Sequence, residues 1–144
     1  MKLIQTVNAF TQKVPSHALI NLGDIDRRVA PANRCGVRTF TGNKDSITLN
    51  WLGYYKINLT IVVKSEEAVE VVIGLISNNA IVNGAKIRET YVGGDIKTLN
   101  LSKIVRLECG CKKFPTEPLK IQLANVGEAE IEVLGLNMSI VKVE

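Results

Sequence analysis

Tyr54-Tyr55-Lys56-Ile57-Asn58-Leu59-Thr60-Ile61-Val62-Val63 is the stretch whose reading decides the fold. Tyr55, Ile57, Leu59, Ile61 and Val63 fall on one face, while Lys56, Asn58 and Thr60 fall on the other. A period of two with β-branched residues on the apolar side is the signature of a half-buried strand. Downstream, Ala68–Ile76 places Val69, Val71, Ile73 and Leu75 in one phase and ends at Asn78-Asn79, residues that tolerate turn geometry. Asn83-Gly84 is the strongest short turn signal in the chain. A strand near Lys86–Val92 follows, then a turn at Gly93-Gly94-Asp95. The long segment 96–108 keeps Leu99, Leu101, Val105 and Leu107 in phase, and a turn over 109–116 leads to a strand over Leu119–Ala124. In the last segment Ile131 and Val133 are in odd phase, but Leu136, Met138 and Ile140 are in even phase. One extra residue beside Gly135 swaps the faces, which is what a β-bulge does. No run shows helical periodicity. The chain reads as all-β, a sandwich or barrel.

The N-terminal third has a different character. Short strands are expected only near 17–20, 37–41 and 46–50, and residues 1–16 read as an arm ahead of a single domain over 17–144. Residues 1–46 hold seven basic residues (Lys2, Lys13, Arg27, Arg28, Arg34, Arg38, Lys44) against three acids, whereas residues 47–144 balance at eleven of each sign. The net charge of +4 therefore belongs to this third alone. The arginines lie among Asp24, Asp26, Pro31 and Gly36, with only Phe40 as a nearby aromatic, which is a poor pattern for stacking nucleic-acid bases. No nucleic-acid partner and no membrane partner are expected. Guanidinium groups form two-point bonds to carboxylates, so Arg27, Arg28, Arg34 and Arg38 are candidates for pairing with acidic groups on a protein partner.

Enzymatic chemistry finds little to work with. The chain has one histidine, His17, and no Gly-x-Ser-x-Gly. Glu128, Glu130 and Glu132 alternate as a solvated strand face would, and Gly93-Gly94-Asp95 is not followed by the Lys-Ser/Thr of a phosphate loop. Cys35, Cys109 and Cys111 are an odd set, and Cys109-Gly110-Cys111 is spaced more tightly than usual structural zinc ligands. Reduced thiols are expected, with metal binding by the three left open and no cofactor assigned. The start, Met1-Lys2-Leu3-Ile4-Gln5-Thr6-Val7-Asn8, lacks the unbroken apolar stretch of a secretory signal, so synthesis and folding in a cytoplasm are expected.

Val62, Val72, Ile76 and Ile104, with Tyr54, occupy the phase that should face water. Several outward apolar side chains on neighbouring strands mark a face that meets a partner. These five are the candidate subunit interface.

Gly53-Tyr54-Tyr55-Lys56-Ile57-Asn58-Leu59 resembles the Gly-x-Tyr strand of the tumour-necrosis-factor and complement globular-head superfamily of jelly rolls. The similarity continues through Asn83-Gly84, Thr98-Leu99-Asn100-Leu101, Ile104-Val105-Arg106-Leu107 and the closing Leu136-Asn137-Met138-Ser139-Ile140-Val141-Lys142-Val143, and covers about residues 46–144. It implies a jelly-roll β-sandwich of about ten strands that assembles as a threefold homotrimer. The Cys-Gly-Cys turn, the absence of a collagen-like stalk and the style of the ending are most similar to small phage-encoded virion members, such as head fibres, decoration proteins and fibre-associated proteins. That resemblance implies a virion protein assembled in the host bacterial cytoplasm, with capsid, portal or fibre proteins as partners. On this reading the arm docks on the particle, and the loops at 78–95 and 109–118 face outward. A second reading is a module that binds a host-surface glycan through those loops.

Overall fold

The structure is a computed structural model and describes residues 2–30, 32, 36, 38–107 and 118–143. Strands take up 70% of it and no helix occurs among the described residues, so the all-β expectation holds. In chain order the strands are β1 (Lys2–Asn8), β2 (Gln12–Val14), β3 (Asp24–Val29), β4 (Phe40–Gly42), β5 (Ile47–Leu49), β6 (Gly53–Ser65), β7 (Glu70–Ser77), β8 (Ala80–Thr90), β9 (Asp95–Leu107), β10 (Leu119–Asn125) and β11 (Ile131–Lys142). They form two antiparallel sheets. One has the order β3-β1-β11-β6-β9, with β2 also paired to β11; the other has the order β4-β5-β10-β7-β8. From β3 onward the chain passes repeatedly between the sheets, β5 to β6, β6 to β7, β8 to β9, β9 to β10 and β10 to β11, which is jelly-roll winding.

The alternation of β6 is the spine of this arrangement. Tyr55, Ile57, Leu59, Ile61 and Val63 are all buried. They meet Ile73, Leu75, Ile121 and Leu123 from the opposite sheet in one apolar core. The Tyr55 ring packs edge-on against Phe40 at 5.7 Å, and its hydroxyl donates to the Trp51 carbonyl. β6 pairs with β9 over its full length, from Gly53 opposite Leu107 to Ser65 opposite Asp95. The bulge beside Gly135 is present: Val133 sits opposite Val63 and Gly135 opposite Val62, so Leu134 is the extra residue. Inward phase thereby passes from Val133 to Leu136, as the swap of faces requires.

Two expectations are corrected. Asn83-Gly84 does not make the hairpin turn. The turn lies at Asn78-Asn79, whose φ values of 49° and 69° close a two-residue loop between Ser77 and Ala80. Positive φ at both central residues is the geometry such loops need. Asn83-Gly84, only a few residues on, falls within β8, where pairing jumps from Ile81–Ile76 to Lys86–Gly74 and Gly84 (φ 74°) absorbs a bulge.

β1 and β2, inside the segment expected as an arm over 1–16, are paired strands of the sandwich. β1 lies between β11 and β3, pairing Lys2 with Lys142 through to Asn8 with Leu136, and Ile4 and Val14 are buried. The alternation is concealed because two of its inward positions are polar. Thr6 and Asn8 face the interior with Ile4. The structured domain therefore takes in residues assigned to the arm.

Candidate interaction surface

The registers fix what the outer face of the β3-β1-β11-β6-β9 sheet displays. One row across five strands reads Val29, Leu3, Val141, Lys56, Ile104. Just beyond it lie Tyr54, opposite Arg106, and Val143, whose amide donates to the Tyr54 carbonyl at 2.9 Å. Ile104 is 56% exposed and Val143 52%, with Val29, Leu52 and Tyr54 exposed around them. This apolar end of the sheet also carries the first and last described residues. The Arg106 guanidinium lies 5.1 Å from the Tyr54 ring centre, adding a cation over an aromatic face.

The next two rows are uncharged between β1 and β9. They read Gln5, Ser139, Asn58, Ser102 and then Val7, Asn137, Thr60, Asn100. Gln5 Nε2 donates to Asn137 Oδ1 at 3.1 Å, and Thr60 Oγ1 donates to Asn100 Oδ1 at 3.0 Å. Neutral amides and hydroxyls are far cheaper to desolvate than charges, and depletion of charge is the compositional mark of an interface centre. Val62 continues the surface, half-buried beside Gly135 and Thr98.

Of the five candidate interface residues, the structure brings Tyr54, Val62 and Ile104 onto this one face. Val72 and Ile76 are on β7, in the other sheet, so they belong to a different surface. Val72 retains only 6% of its area. Val126 folds over that surface, donating its amide to the Val72 carbonyl at 3.0 Å and placing its side chain over Gly74. Val72 is thus covered within its own chain.

The open side of the sandwich between β8 and β9 is closed to strand addition. Lys97 and Lys103 lie in the inward phase of β9, which is an edge strand. Lys97 Nζ reaches Glu89 Oε1 at 3.4 Å and the Thr90 carbonyl at 2.8 Å, and lies 5.3 Å from the Tyr91 ring centre. Lys103 Nζ reaches over the Gly84 bulge. Inward-pointing lysines are a standard way to stop an edge from pairing with another chain.

The described candidate attachment arginines do not share one face. Arg27 is opposite Gln5 and so points outward, whereas Arg28 is opposite the buried Ile4 and points to the other side. Arg38 Nη1 donates to the Ala30 carbonyl at 3.3 Å. Arg34 lies outside the described residues, as do Cys35, Cys109, Cys111 and the 109–117 loop. Among the described residues no three of His, Cys, Asp and Glu gather as metal ligands would. His17 is exposed at a positive-φ position, its amide bonded to the Asn125 carbonyl at 2.7 Å. The loops expected to face one way do not: Asn78-Asn79 is at the Leu107 end of the sandwich and Gly93-Gly94 at the opposite, Asp95 end. Sequence reading passed over a further feature, Phe10, which is 79% exposed between β1 and β2.

No family model and no curated protein sequence matches the chain. Solved structures do. The globular domain of zebrafish complement 1qA superposes with a TM-score of 0.64 at 9% identity, covering 100% of this chain and 98% of that one. The PRD1 vertex protein P5 gives 0.59 at 14% identity over 99% and 97%, and the Eiger TNF of S. frugiperda gives 0.59 at 11% over 100% and 94%. Coverage is nearly complete in both directions while identity is very low, so what is shared is the path of the backbone. The chain has a two-sheet jelly-roll fold, similar to that of the complement 1qA globular domain, the PRD1 vertex protein and the Eiger TNF.

Proposed function

We propose that this chain is a non-enzymatic structural protein that works as a homotrimer, a component of a bacteriophage particle such as a head fibre, a decoration protein or a fibre- or portal-attached protein. The observation that carries the reading is the outer face of the β3-β1-β11-β6-β9 sheet, uncharged from β1 to β9 through its middle rows and mainly apolar, around Lys56, at the Ile104–Tyr54–Val143 end. Such a surface gains little from remaining in water and much from being covered. A phage vertex protein among the structures of the same fold supports the particle assignment. The revised place of residues 2–16 changes how attachment is pictured. With those residues built into the domain, the anchor is a folded surface, and Arg27 on the β3 edge supplies the charge beside it.

Light scattering on the purified protein should give about three times the 15.8 kDa chain mass. The protein should also co-purify with assembled particles and stay with them through washing at moderate salt. A stable monomer at micromolar concentration, or particles that never carry the protein, would refute the reading.

A further inference from the structure

We infer that the cleft beside Phe10 is a binding site for a neutral saccharide. β1 and β2 are not a hairpin. They lie end to end along β11, with Asn8 opposite Leu136 and Gln12 opposite Val133. Ala9, Phe10 and Thr11 therefore span the same stretch as Leu134 and Gly135, which form the bulge of β11. Two irregularities meet at one level, and the result is that Phe10 is pushed out of the sheet to 79% exposure. A large apolar ring displayed this far from the core gains nothing for folding.

The display is rigid. Phe10 N donates to Asn8 Oδ1 at 2.9 Å. Gln12 clamps Asn21 at both backbone groups, accepting from its amide at 2.9 Å and donating to its carbonyl at 2.8 Å, and Asn8 Nδ2 donates to the same carbonyl at 3.1 Å. Gly23 is pressed so closely on β1 that a Cβ there would stand 2.2 Å from the Val7 carbonyl oxygen. On the far side Leu22 N donates to the Lys44 carbonyl at 2.6 Å, and the Lys44 turn is fixed by Asn43 Oδ1, which accepts from Asp45 N and Ser46 N. These walls enclose a cleft of about 350 Å³. That is enough for one or two sugar rings against the usual range of roughly 300–1,000 Å³ for small-molecule sites.

What lines the cleft selects the ligand class. Asp24 offers an acceptor, the Lys44 ammonium and the Asn21 side-chain Nδ2 offer donors, and Phe10 offers an apolar face. One charge of each sign disfavours a net anion or a net cation, since either would meet its like. A pyranose needs this combination: its C–H face covers an aromatic ring while its hydroxyl rim donates to a carboxylate and accepts from ammonium and amide. The inference does not depend on the trimeric virion reading and would stand for a monomer.

The test is an array of immobilised mono- to tetrasaccharides probed with the full-length protein, followed by calorimetric titration of whichever saccharide binds. Selective binding is expected, and Phe10→Ala and Asp24→Asn should each weaken it at least tenfold, with the melting temperature and the mass in solution unchanged. Should Phe10→Ala fail to fold, Lys44→Gln takes its place, with a similar loss expected. Three outcomes overturn the proposal. The first is an array on which nothing binds selectively; the second is binding indifferent to these substitutions; the third is a Phe10→Ala protein of altered oligomer mass, which would make Phe10 a contact between protein chains.

Discussion

At position 6 a threonine hydroxyl is buried in the sandwich with no hydrogen-bond partner among the described residues. Its neighbours in phase, Ile4 and Asn8, show the two alternatives open to an inward side chain on β1: the first is apolar, and the second is satisfied by bonding Asn21 and Phe10. Thr6 is neither. Thr6→Val keeps the shape and removes the uncompensated oxygen, so it should stabilise the fold by about 1 kcal/mol, read from the denaturant midpoint. A loss of stability would mean that the hydroxyl has a bonding role the packing does not reveal. Two tyrosines set the alkaline limit. Burial pushes Tyr55 up to about 12, and burial with the nearby Glu89 carboxylate pushes Tyr91 up to about 12, its hydroxyl donating to the Val63 carbonyl at 2.9 Å. An unfolded tyrosine ionises near pH 10, so both groups release protons more readily when unfolded. Their contribution is complete below about pH 10 and is lost as the pH rises through about 12. Unfolding free energy should fall across that window; a flat profile there would contradict the burial of both hydroxyls.

Among the elements, β6, β7, β9 and β11 were legible because their inward residues are mostly apolar, with Ser65, Lys97 and Lys103 as polar interruptions near strand ends or on the edge, and their phase changes only at Gly135. The bulge itself was legible as a change of phase. β1 was hidden by Thr6 and Asn8, and β3 by its edge position, where Asp24, Asp26, Arg27, Arg28 and Val29 are all exposed and no apolar face develops. The same limit applies to the interaction surface. Period two assigns Tyr54, Val62 and Ile104 to an outer face but carries no information on strand order, so it joined Val72 and Ile76 to a sheet they do not belong to. Phe10 gave no periodic signal, because its exposure arises from two bulges meeting across strands distant in sequence. At the β7–β8 turn the sequence offered two Asn-containing candidates, and backbone geometry distinguishes what each asparagine there does. Asn79 (φ 69°) needs only tolerance of the left-handed region, so Asn79→Gly should be neutral or stabilising by about 0.5 kcal/mol, and Asn79→Val should cost about 1–2 kcal/mol. Asn78 also holds β10, accepting from Lys120 N at 2.7 Å through Oδ1. Asn78→Gly should therefore still cost about 1 kcal/mol or more, despite relieving its backbone. Equal effects of glycine at the two positions, measured by thermal unfolding, would remove the distinction.

For the whole molecule, the division between surface that closes the protomer and surface that joins protomers can be tested with one substitution made at two places. Ile104 and Val72 are both outward in phase, and both are aliphatic. Ile104 keeps 56% of its area in the isolated chain, and its row on the sheet continues past Lys56 through Val141 and Leu3 to Val29. Val72 keeps 6%, on a surface that Val126 folds over. A lysine at 104 stays solvated in a single chain and meets a desolvated environment only when a second copy covers the face. Ile104→Lys should leave the monomer's unfolding free energy within about 0.5 kcal/mol of the parent, as surface changes do, while shifting the light-scattering mass from trimer to monomer. A lysine at 72 has to force its way out from beneath the strand connection. Val72→Lys should cost the protomer itself about 2–4 kcal/mol, through lost packing and a charge held away from water, with dissociation only as a consequence. The discriminating quantity is the order of events in denaturant at several protein concentrations. For Ile104→Lys the midpoint becomes independent of concentration, because nothing remains to dissociate; for Val72→Lys it falls but still rises with concentration, because the β3-β1-β11-β6-β9 face is intact. If Ile104→Lys leaves a concentration-dependent trimer in place, that face is not where the subunits meet, and the assembly has to be built on another surface.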